Sequence, residues 1–244
     1  MALYSTFQAI LDPGDEVLLP EPYWVSYAEQ IKLAGGVPIS VPVGSSFKVT
    51  PADLAAKLTD KTVAFVLNSP ENPTGVIYDQ QELTALNDWT KAHDVMVITD
   101  DIYGQLVYNG ASFTSIAQLD DQLDPRIIII SGGSKTYSMT GWRMGYVVAD
   151  EQLISKISAF LSHATGNPTA VSQYALLEAF TGNQDQVEVM RKAFEDRLNT
   201  IYPLLTAIPG FDLPVKPQGA FYLFPDVSGA LKISGIATTG EFVS

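Results

Sequence analysis

Residues 126–145 have the sequence RIIIISGGSKTYSMTGWRMG, in which a lysine and an arginine follow a very apolar run at fixed spacing. The run Arg126–Ile130 predicts a fully buried strand of a parallel sheet, and the small residues after it end that strand. A lysine after a strand is by itself most often a solvated loop residue. Lys135 is nevertheless expected at the carboxyl end of this strand, which is the edge of an open α/β sheet where ligands bind.

Two other apolar runs end in polar motifs. Thr62–Asn68 predicts a buried strand that leads into the turn Ser69–Gly75, with the sequence SPENPTG, whose prolines and glycine fix the backbone. Asp94–Thr99 predicts another buried strand, which is followed by DDIY at Asp100–Tyr103. Neither motif identifies a function alone, because an Asn-Pro-x-Gly turn is weak support and an aspartate after a strand is most simply a helix cap.

The three motifs together resemble those of the fold-type I aminotransferases, the aspartate aminotransferase class I/II family. The stretch SKTYSMTGWRMG, residues 134–145, is the most specific of them. In that family the lysine of this pattern holds pyridoxal 5'-phosphate as an aldimine. The resemblance therefore implies that Lys135 is the catalytic residue and that Arg143 binds the phosphate of the cofactor.

The other two motifs imply further ligands of pyridoxal phosphate. Matched residue by residue, Asn72 and Tyr103 are expected to bond the phenolic oxygen of the cofactor, and Asp100 is expected to meet its pyridine nitrogen. The sequence departs from the family pattern at Asp101, where glutamate is commoner. That position is not the partner of the nitrogen, so the departure leaves the assignments in place.

Each residue type suits the role that the resemblance gives it. Pyridoxal phosphate acts as an electron sink only while its ring nitrogen is protonated, and a buried carboxylate at Asp100 keeps the proton there. Lysine can change between ammonium and neutral amine, because its pKa falls readily in a desolvated site. Arginine stays charged, and its planar fork matches a phosphate. Apolar Trp142 and Tyr146 near Arg143 argue against a merely exposed arginine.

The segment Leu11–Tyr27, with the sequence LDPGDEVLLPEPYWVSY, resembles the part of the family that supplies an aromatic residue to the cofactor ring. The resemblance implies that Trp24 stacks on the ring, with Tyr23 as the second choice. A tryptophan that fills the edge of the core explains the sequence equally well. Ser134 is a further candidate for bonding the phosphate, and a small residue required by close packing explains it as well.

Composition restricts the remaining functions. The chain has 244 residues, 46% of them hydrophobic, which is ample for a sizeable core. A formal net charge of -13 without a cluster of Lys and Arg argues against nucleic acid as a partner. The absence of cysteine excludes disulfides and thiol nucleophiles. Since no apolar run approaches the roughly 20 residues of a membrane span, we expect a cytoplasmic protein without membrane contact.

The histidines do not indicate a metal site. His93 and His163 are the only two, and they are far apart in the sequence. His93 ends a predicted helix over Gln80–His93, where a solvated cation at the C-terminal end is the simplest interpretation. We therefore expect no metal cofactor.

Helical and strand patterns alternate from residue 2 to about residue 150, which predicts an α/β fold with a mainly parallel sheet covered on both faces. Further helices are predicted over Glu151–Leu161, Ala170–Phe180 and Gln184–Leu205, the last with a break near Pro203. Strands are predicted over Phe211–Val215 and Gly219–Phe224. By resemblance, residues 1–190 form a large cofactor-binding domain without its N-terminal part, and residues 191–244 begin a small α+β domain.

The chain resembles a family member that is truncated at both ends. The family's arginine for the substrate carboxylate lies near the C-terminus, and the last arginine here is Arg197, on a predicted helix. The resemblance implies an aminotransferase that moves an amino group between an amino acid, aspartate or a related one, and a 2-oxo acid, as a homodimer when complete. A β-lyase or synthase of the same fold shares every motif, and the missing arginine leaves an inactive cofactor-binding fragment as another alternative.

Overall fold

The computed structural model describes residues 1–243, which form a six-stranded sheet; numbered along the chain, its strands lie in the order 2-1-3-4-5-6. The first five strands along the chain are parallel to their neighbours, and the sixth is antiparallel to the fifth. The predicted mainly parallel α/β sheet is confirmed. The strands are β1 (Glu16–Pro20), β2 (Val37–Val41), β3 (Thr62–Asn68), β4 (Met96–Asp100), β5 (Ile127–Gly132) and β6 (Gly145–Val148).

Helices cover both faces of this sheet. Phe7 of the first helix, Ile31 of the second and Leu153 of the fifth pack into one apolar cluster, whereas Leu54 of the third and Leu86 of the fourth pack into the other. Because successive strand residues point to opposite faces, the central strands must be apolar at nearly every position. The helices are α1 (Ala2–Ile10), α2 (Ser26–Leu33), α3 (Pro51–Ala55), α4 (Gln80–His93), α5 (Glu151–Ala164), α6 (Ala170–Thr181), α7 (Asp185–Thr206), α8 (Ser228–Ser234) and α9 (Thr239–Phe242).

Helix α4 has the bounds that the sequence predicts. Asp79 caps its first turn, because its side chain accepts from the Glu82 amide while the Glu82 side chain accepts from the Asp79 amide. The helix ends where Asp94 takes a left-handed conformation with φ of 53°. His93 is exposed and contacts the Trp89 carbonyl through Nδ1 at 2.8 Å. Its place at the helix end is therefore confirmed.

Helix α7 continues through Pro203, so the predicted break near that residue is wrong. A proline removes the hydrogen bond of its own missing amide, and its ring crowds the carbonyl four residues before it. Pro203 lies in the last turn of α7, where little helix follows that the loss could disrupt. The predicted domain division between residues 190 and 191 lies inside this helix and stays a prediction.

The two strands predicted after α7 are also wrong. Residues 211–226 contain only isolated antiparallel bridges, which join Val107 to Gly219 and Asp212 to Asp226. Prolines lack the amide donor that a strand ladder needs, and Pro214 and Pro217 interrupt this segment. Ala220 has a positive φ of 58°, which ends any extended run there.

Helix α7 and the segment after it share an apolar cluster with two tyrosines that follow β4. Leu198 of α7 and Ala220 pack with Tyr103 and Tyr108 in a third apolar cluster. The segment after α7 therefore lies against the residues that follow β4. None of the helices in residues 1–243 is long and apolar enough to cross a membrane.

Candidate active site

The carboxyl ends of β3 and β4 bring two polar residues side by side. These strands pair in parallel register with Asn68 opposite Asp100. The side-chain nitrogen of Asn68 donates to the backbone carbonyl oxygen of Asp100 at 2.7 Å. The side-chain oxygen of Asn68 accepts from the backbone amide of Asn72 at 2.8 Å. Asn68 thus fixes the turn that carries Asn72 to the end of the neighbouring strand.

Asp100 is the most buried acid of this edge, with 5% of its surface exposed. Its Oδ2 accepts from the Tyr27 hydroxyl at 2.8 Å, and its Oδ1 accepts from the Ile102 amide at 3.3 Å. Burial raises the pKa of Asp100 to about 6, against the opposing effects of the Tyr27 bond and of the Lys135 charge. Burial and the Asp100 charge also raise the pKa of Tyr27 well above its usual value.

Trp24 lies next to this pair at the edge of the site. Its ring meets the Tyr27 ring edge to face, with 5.3 Å between centroids, and 37% of its surface is exposed. The contact links Trp24 to Asp100 through Tyr27. The exposed part of the Trp24 ring is available to the flat ring of a ligand. A tryptophan that only fills the core would be covered by other residues.

Lys135 follows β5 in a turn, half-buried, as does Ser134 beside it. Its Nζ lies 5.7 Å from the centroid of the Tyr103 ring and 5.1 Å from that of the Phe221 ring. Two aromatic faces at these distances attract an ammonium group. The structure therefore brings Lys135 to Tyr103 and within the electrostatic range of Asp100.

Tyr103 and Asn72 meet at a third residue, Tyr222. The two phenol oxygens of Tyr103 and Tyr222 are 2.7 Å apart, and Asn72 Nδ2 donates to the Tyr222 oxygen at 3.3 Å. The pKa of Tyr103 is raised chiefly by burial and next by its bond with Tyr222, while a bond from Asn72 opposes the rise. This group presents amide and hydroxyl donors close to the Lys135 ammonium.

Glu71 supports the same turn from inside. It is buried, and its Oε2 accepts from the Thr74 amide at 3.0 Å and from the Thr74 hydroxyl. Burial raises the pKa of Glu71 to about 7, against both of these hydrogen bonds. The carboxyl closes the turn on which Asn72 is placed.

Arg143 follows Lys135 by eight residues, directly after a short 3-10 turn. It is exposed, has a left-handed φ of 55°, and donates from Nη1 to the carbonyl of Thr140 at 2.9 Å. Its apolar neighbours do not bury it, contrary to the prediction, since Trp142 is 44% and Tyr146 38% exposed. These residues belong to a short 3-10 turn and an edge strand, which leave their side chains at the surface.

The charge of Arg143 does act on the start of α1. The pKa of the Met1 amino group is lowered by partial burial first and by the Arg143 charge second. The Arg143 charge therefore reaches the amino end of α1, and a helix N-terminus and a guanidinium each favour an anion.

Arg197, the last arginine of the chain, lies over the Phe194 ring, 5.4 Å from its centroid. It lines a cavity of about 320 Å³ that Phe221 and Tyr222 also line. Arg197 and Phe221 thus line the same cavity, and Lys135 Nζ lies 5.1 Å from the centroid of the Phe221 ring. Within residues 1–243, no group of three or more His, Cys, Asp or Glu side chains is placed to hold a metal ion.

Sequence reasoning missed three side chains that organise this site: Tyr27, Asn68 and Tyr222. Asn68 carries a usable signal, because a polar residue ends an otherwise apolar strand run. Tyr27 lies four residues before Ile31 on the buried face of α2, where an ordinary core aromatic residue is the simplest interpretation. Tyr222 lies in a segment without regular structure, so no periodic pattern marks its direction.

The fold and the site together define an α/β protein with a lysine and a buried carboxylate at the carboxyl edge of its sheet. The chain belongs to the aminotransferase class I and II family, whose model matches residues 2–241. The expected family is confirmed.

Proteins of known sequence support this membership. The chain is 52% identical over 244 residues to the asparagine–oxo-acid transaminase of Streptococcus mutans and 51% identical to an aspartate aminotransferase of Bacillus sp. strain YM-2. Each match covers 99% of this chain and 62% of the relative. The chain thus spans about three fifths of the length of these relatives.

Solved structures agree on the fold. The aspartate aminotransferase from Rhizobium meliloti superimposes with a TM-score of 0.89 at 37% identity, over 93% of this chain and 57% of that one. The aromatic aminotransferase from Pyrococcus horikoshii superimposes with a TM-score of 0.86 at 38% identity, over 91% and 60% of the two chains. The sheet described above is therefore that of the aminotransferase large domain.

Proposed function

We propose that this chain is the core of a pyridoxal-phosphate aminotransferase, which moves an amino group between an amino acid and a 2-oxo acid. The observation that carries the proposal is the meeting of Lys135, Asp100 and Tyr103 at one edge of the sheet. The names of the relatives support aspartate or a related amino acid as the donor.

The donor set fits the cofactor. Asp100 is a buried acid whose pKa is raised because burial outweighs its hydrogen bonds, and a cation placed against it would relieve that cost. The protonated ring nitrogen of pyridoxal phosphate is such a cation. Asn72 and Tyr103 offer an amide and a hydroxyl to the phenolic oxygen, and the exposed ring of Trp24 offers a flat surface.

When bound, pyridoxal phosphate supplies an electron sink for a carbanion next to the substrate nitrogen. Asp100 keeps the proton on the ring nitrogen, and the Tyr27 hydroxyl holds the carboxylate in place at 2.8 Å. Lys135 anchors the cofactor through Nζ. As a free amine it moves the proton at the α-carbon of the substrate, for which lysine in a partly desolvated position is suited.

Arg143 binds the phosphate of the cofactor, and Ser134 is a second hydrogen-bond donor to it. The Arg143 guanidinium is permanently charged, and its planar fork matches a phosphate. The open position of Arg143 is consistent with a residue that binds a ligand group instead of a protein carboxylate, since its hydrogen bond goes to a backbone carbonyl.

The proposal extends to the whole protein. We propose a large domain over residues 1–190, the start of a small domain over residues 191–244, a homodimer of the complete protein, and a cytoplasmic location. Four apolar side chains on α6 support the homodimer, because they are exposed here: Val171, Tyr174, Leu177 and Phe180.

Borohydride labelling tests the central assignment. The purified chain is incubated with pyridoxal phosphate, reduced and digested, and mass spectrometry is expected to find the label on the single peptide that contains Lys135. Lys135→Ala should abolish the label, whereas Lys156→Ala, at an exposed lysine of α5, should keep it. A label on another lysine, or none on folded protein, would contradict the proposal.

A further inference from the structure

Tyr222 lies outside the motifs that indicate a function, yet its hydroxyl contacts two of the proposed cofactor ligands. Its oxygen is 2.7 Å from that of Tyr103 and accepts from Asn72 Nδ2 at 3.3 Å. These contacts join residues 119 and 150 positions apart in the sequence. The Tyr222 hydroxyl is therefore supplied by the segment after α7, far along the chain from the two motifs that it contacts.

The backbone holds that segment from two sides. The Gly75 carbonyl accepts from the amides of Gln218 and Gly219 at 2.8 and 3.0 Å. On the other side, the Ala220 amide donates to the Leu106 carbonyl at 3.0 Å. Tyr222 therefore has a place fixed by hydrogen bonds to the turn of Asn72 and to the loop of Tyr103.

The hydrogen bond between the two phenols can reverse when a ligand binds. The Tyr222 oxygen accepts from Asn72 Nδ2, and either phenol of the Tyr103–Tyr222 pair can donate to the other. When a ligand oxygen accepts the Tyr103 proton, Tyr222 can donate to the Tyr103 oxygen, and a phenol that accepts one hydrogen bond donates another more strongly. The edge contact between the Tyr103 and Tyr222 rings, 5.8 Å between centroids, restricts both rings.

We infer that Tyr222 is a positioning residue, which orients the Tyr103 hydroxyl and the Asn72 amide toward the phenolic oxygen of pyridoxal phosphate. The inference rests on the proposed function. Donors to a phenolate favour its ionised form. Removal of the Tyr222 hydroxyl should therefore weaken cofactor binding and raise the pH at which the visible absorption of the bound cofactor changes.

The test compares Tyr222→Phe with Thr84→Val, which removes a hydroxyl from an exposed side chain on α4. Titration with pyridoxal phosphate should give a dissociation constant about fivefold to tenfold higher for Tyr222→Phe, the size of one hydrogen bond. The pH midpoint of the absorption change should rise by about half a unit. Thr84→Val should change neither quantity.

A second variant covers the case in which Tyr222→Phe does not fold. Tyr222→3-fluorotyrosine keeps the hydroxyl and makes it more acidic, hence a stronger donor, so the midpoint should fall instead of rise. A midpoint and an affinity that stay at the wild-type values in either folded variant would overturn the role of Tyr222. A wild-type chain that does not bind the cofactor at all would instead overturn the proposed function.

Discussion

At the scale of single residues, burial decides the chemistry of Asp100. The carboxyl accepts two hydrogen bonds, which lower its pKa, but desolvation outweighs them and raises the pKa from 3.8 to about 6. The folded chain therefore binds a proton at Asp100 more readily than the unfolded chain does. Stability is expected to fall as the pH rises from about 4 to about 6 and to stay lower above that window.

Asp100→Asn should remove the loss of stability that comes from burying an ionised carboxylate. The asparagine side chain keeps an oxygen that can accept from the Tyr27 hydroxyl. At pH 7 we expect the free energy of unfolding to increase by about 2 to 3 kcal/mol, the equivalent of the pKa difference. Below about pH 4 the variant and the wild type should agree. Urea unfolding at several pH values measures the effect.

The matched control is Asp88→Asn, at an exposed position of α4, which should leave the pH profile unchanged. If the free energy of unfolding depends on pH in the same way for Asp100→Asn and wild type, ionisation of the buried Asp100 carboxyl does not destabilise the fold. A gain in stability together with loss of function would identify Asp100 as a residue kept for its chemistry.

Unlike the buried Asp100, Arg143 has an exposed side chain, and its hydrogen bond is to a backbone carbonyl of its own turn. Arg143→Ala should weaken pyridoxal phosphate binding about tenfold to a hundredfold, as expected for the loss of charged hydrogen bonds. The free energy of unfolding should change by less than about 0.5 kcal/mol. Titration and urea unfolding measure the two quantities.

Arg143→Lys is the control for charge without the planar fork, and an affinity between those of wild type and Arg143→Ala is expected. Unchanged affinity in Arg143→Ala would remove this residue from the phosphate site. A chain that unfolds on substitution would show a structural role instead.

At the scale of elements, one turn connects the sheet to the segment after α7. Gly75 closes the turn Ser69–Gly75 with a φ of 72°, and a Cβ there would lie 2.6 Å from Pro217 Cβ and 2.7 Å from the Gly219 oxygen. Glycine is thus required both for its conformation and for the close approach of the two segments. The turn that carries Asn72 and the segment that carries Tyr222 are built as one unit.

Gly75→Ala should separate the turn that carries Asn72 from the segment that carries Tyr222. We expect a loss of more than about 1 kcal/mol in the free energy of unfolding, from left-handed strain plus the steric contact. The amides of Gln218 and Gly219, which donate to the Gly75 carbonyl, should exchange faster with deuterium. Mass spectrometry of peptides from this segment measures the exchange.

Gly110→Ala is the matched control, since Gly110 has a similar φ of 77° but a Cβ added there would meet no atom within 4 Å among the described residues. It should lose stability through strain alone and leave the exchange of Gln218 and Gly219 unchanged. Equal exchange in the two variants would contradict the contact between the turn and the later segment.

At the scale of the whole molecule, α6 leaves an apolar surface uncovered. Tyr174 is 73%, Leu177 55% and Phe180 45% exposed. A net charge of -13 opposes association in general, but it does not cover these side chains. Exposed apolar area of this kind favours self-association.

Leu177→Glu should therefore reduce self-association of the chain. A charge in an apolar contact must be desolvated, so we expect the dissociation constant of the assembly to rise at least about tenfold. Sedimentation velocity at several concentrations measures it. Leu33→Glu, at a 70% exposed leucine of α2, should have little effect. An equal response to both substitutions would exclude the α6 surface as the interface.

The sequence by itself determined the buried strands β3, β4 and β5 and the motifs at their ends. Buried strands were predictable because runs such as Thr62–Asn68 are apolar at successive positions, a local property of the chain. The family followed from SKTYSMTGWRMG and its companion motifs. The cofactor roles of Lys135 and Asp100 stay predictions, although the structure brings the two residues into one site.

Only the tertiary structure decided which side chains meet. The Tyr27 hydroxyl reaches Asp100 across 73 residues, and that of Tyr222 reaches Tyr103 across 119. The strands predicted after α7 fail for the same reason that Tyr222 was missed: hydrogen bonds to Gly75 and Leu106 shape this segment, instead of its own periodicity. Contacts between distant segments depend on strand register and backbone hydrogen bonds, which no local pattern of residues records.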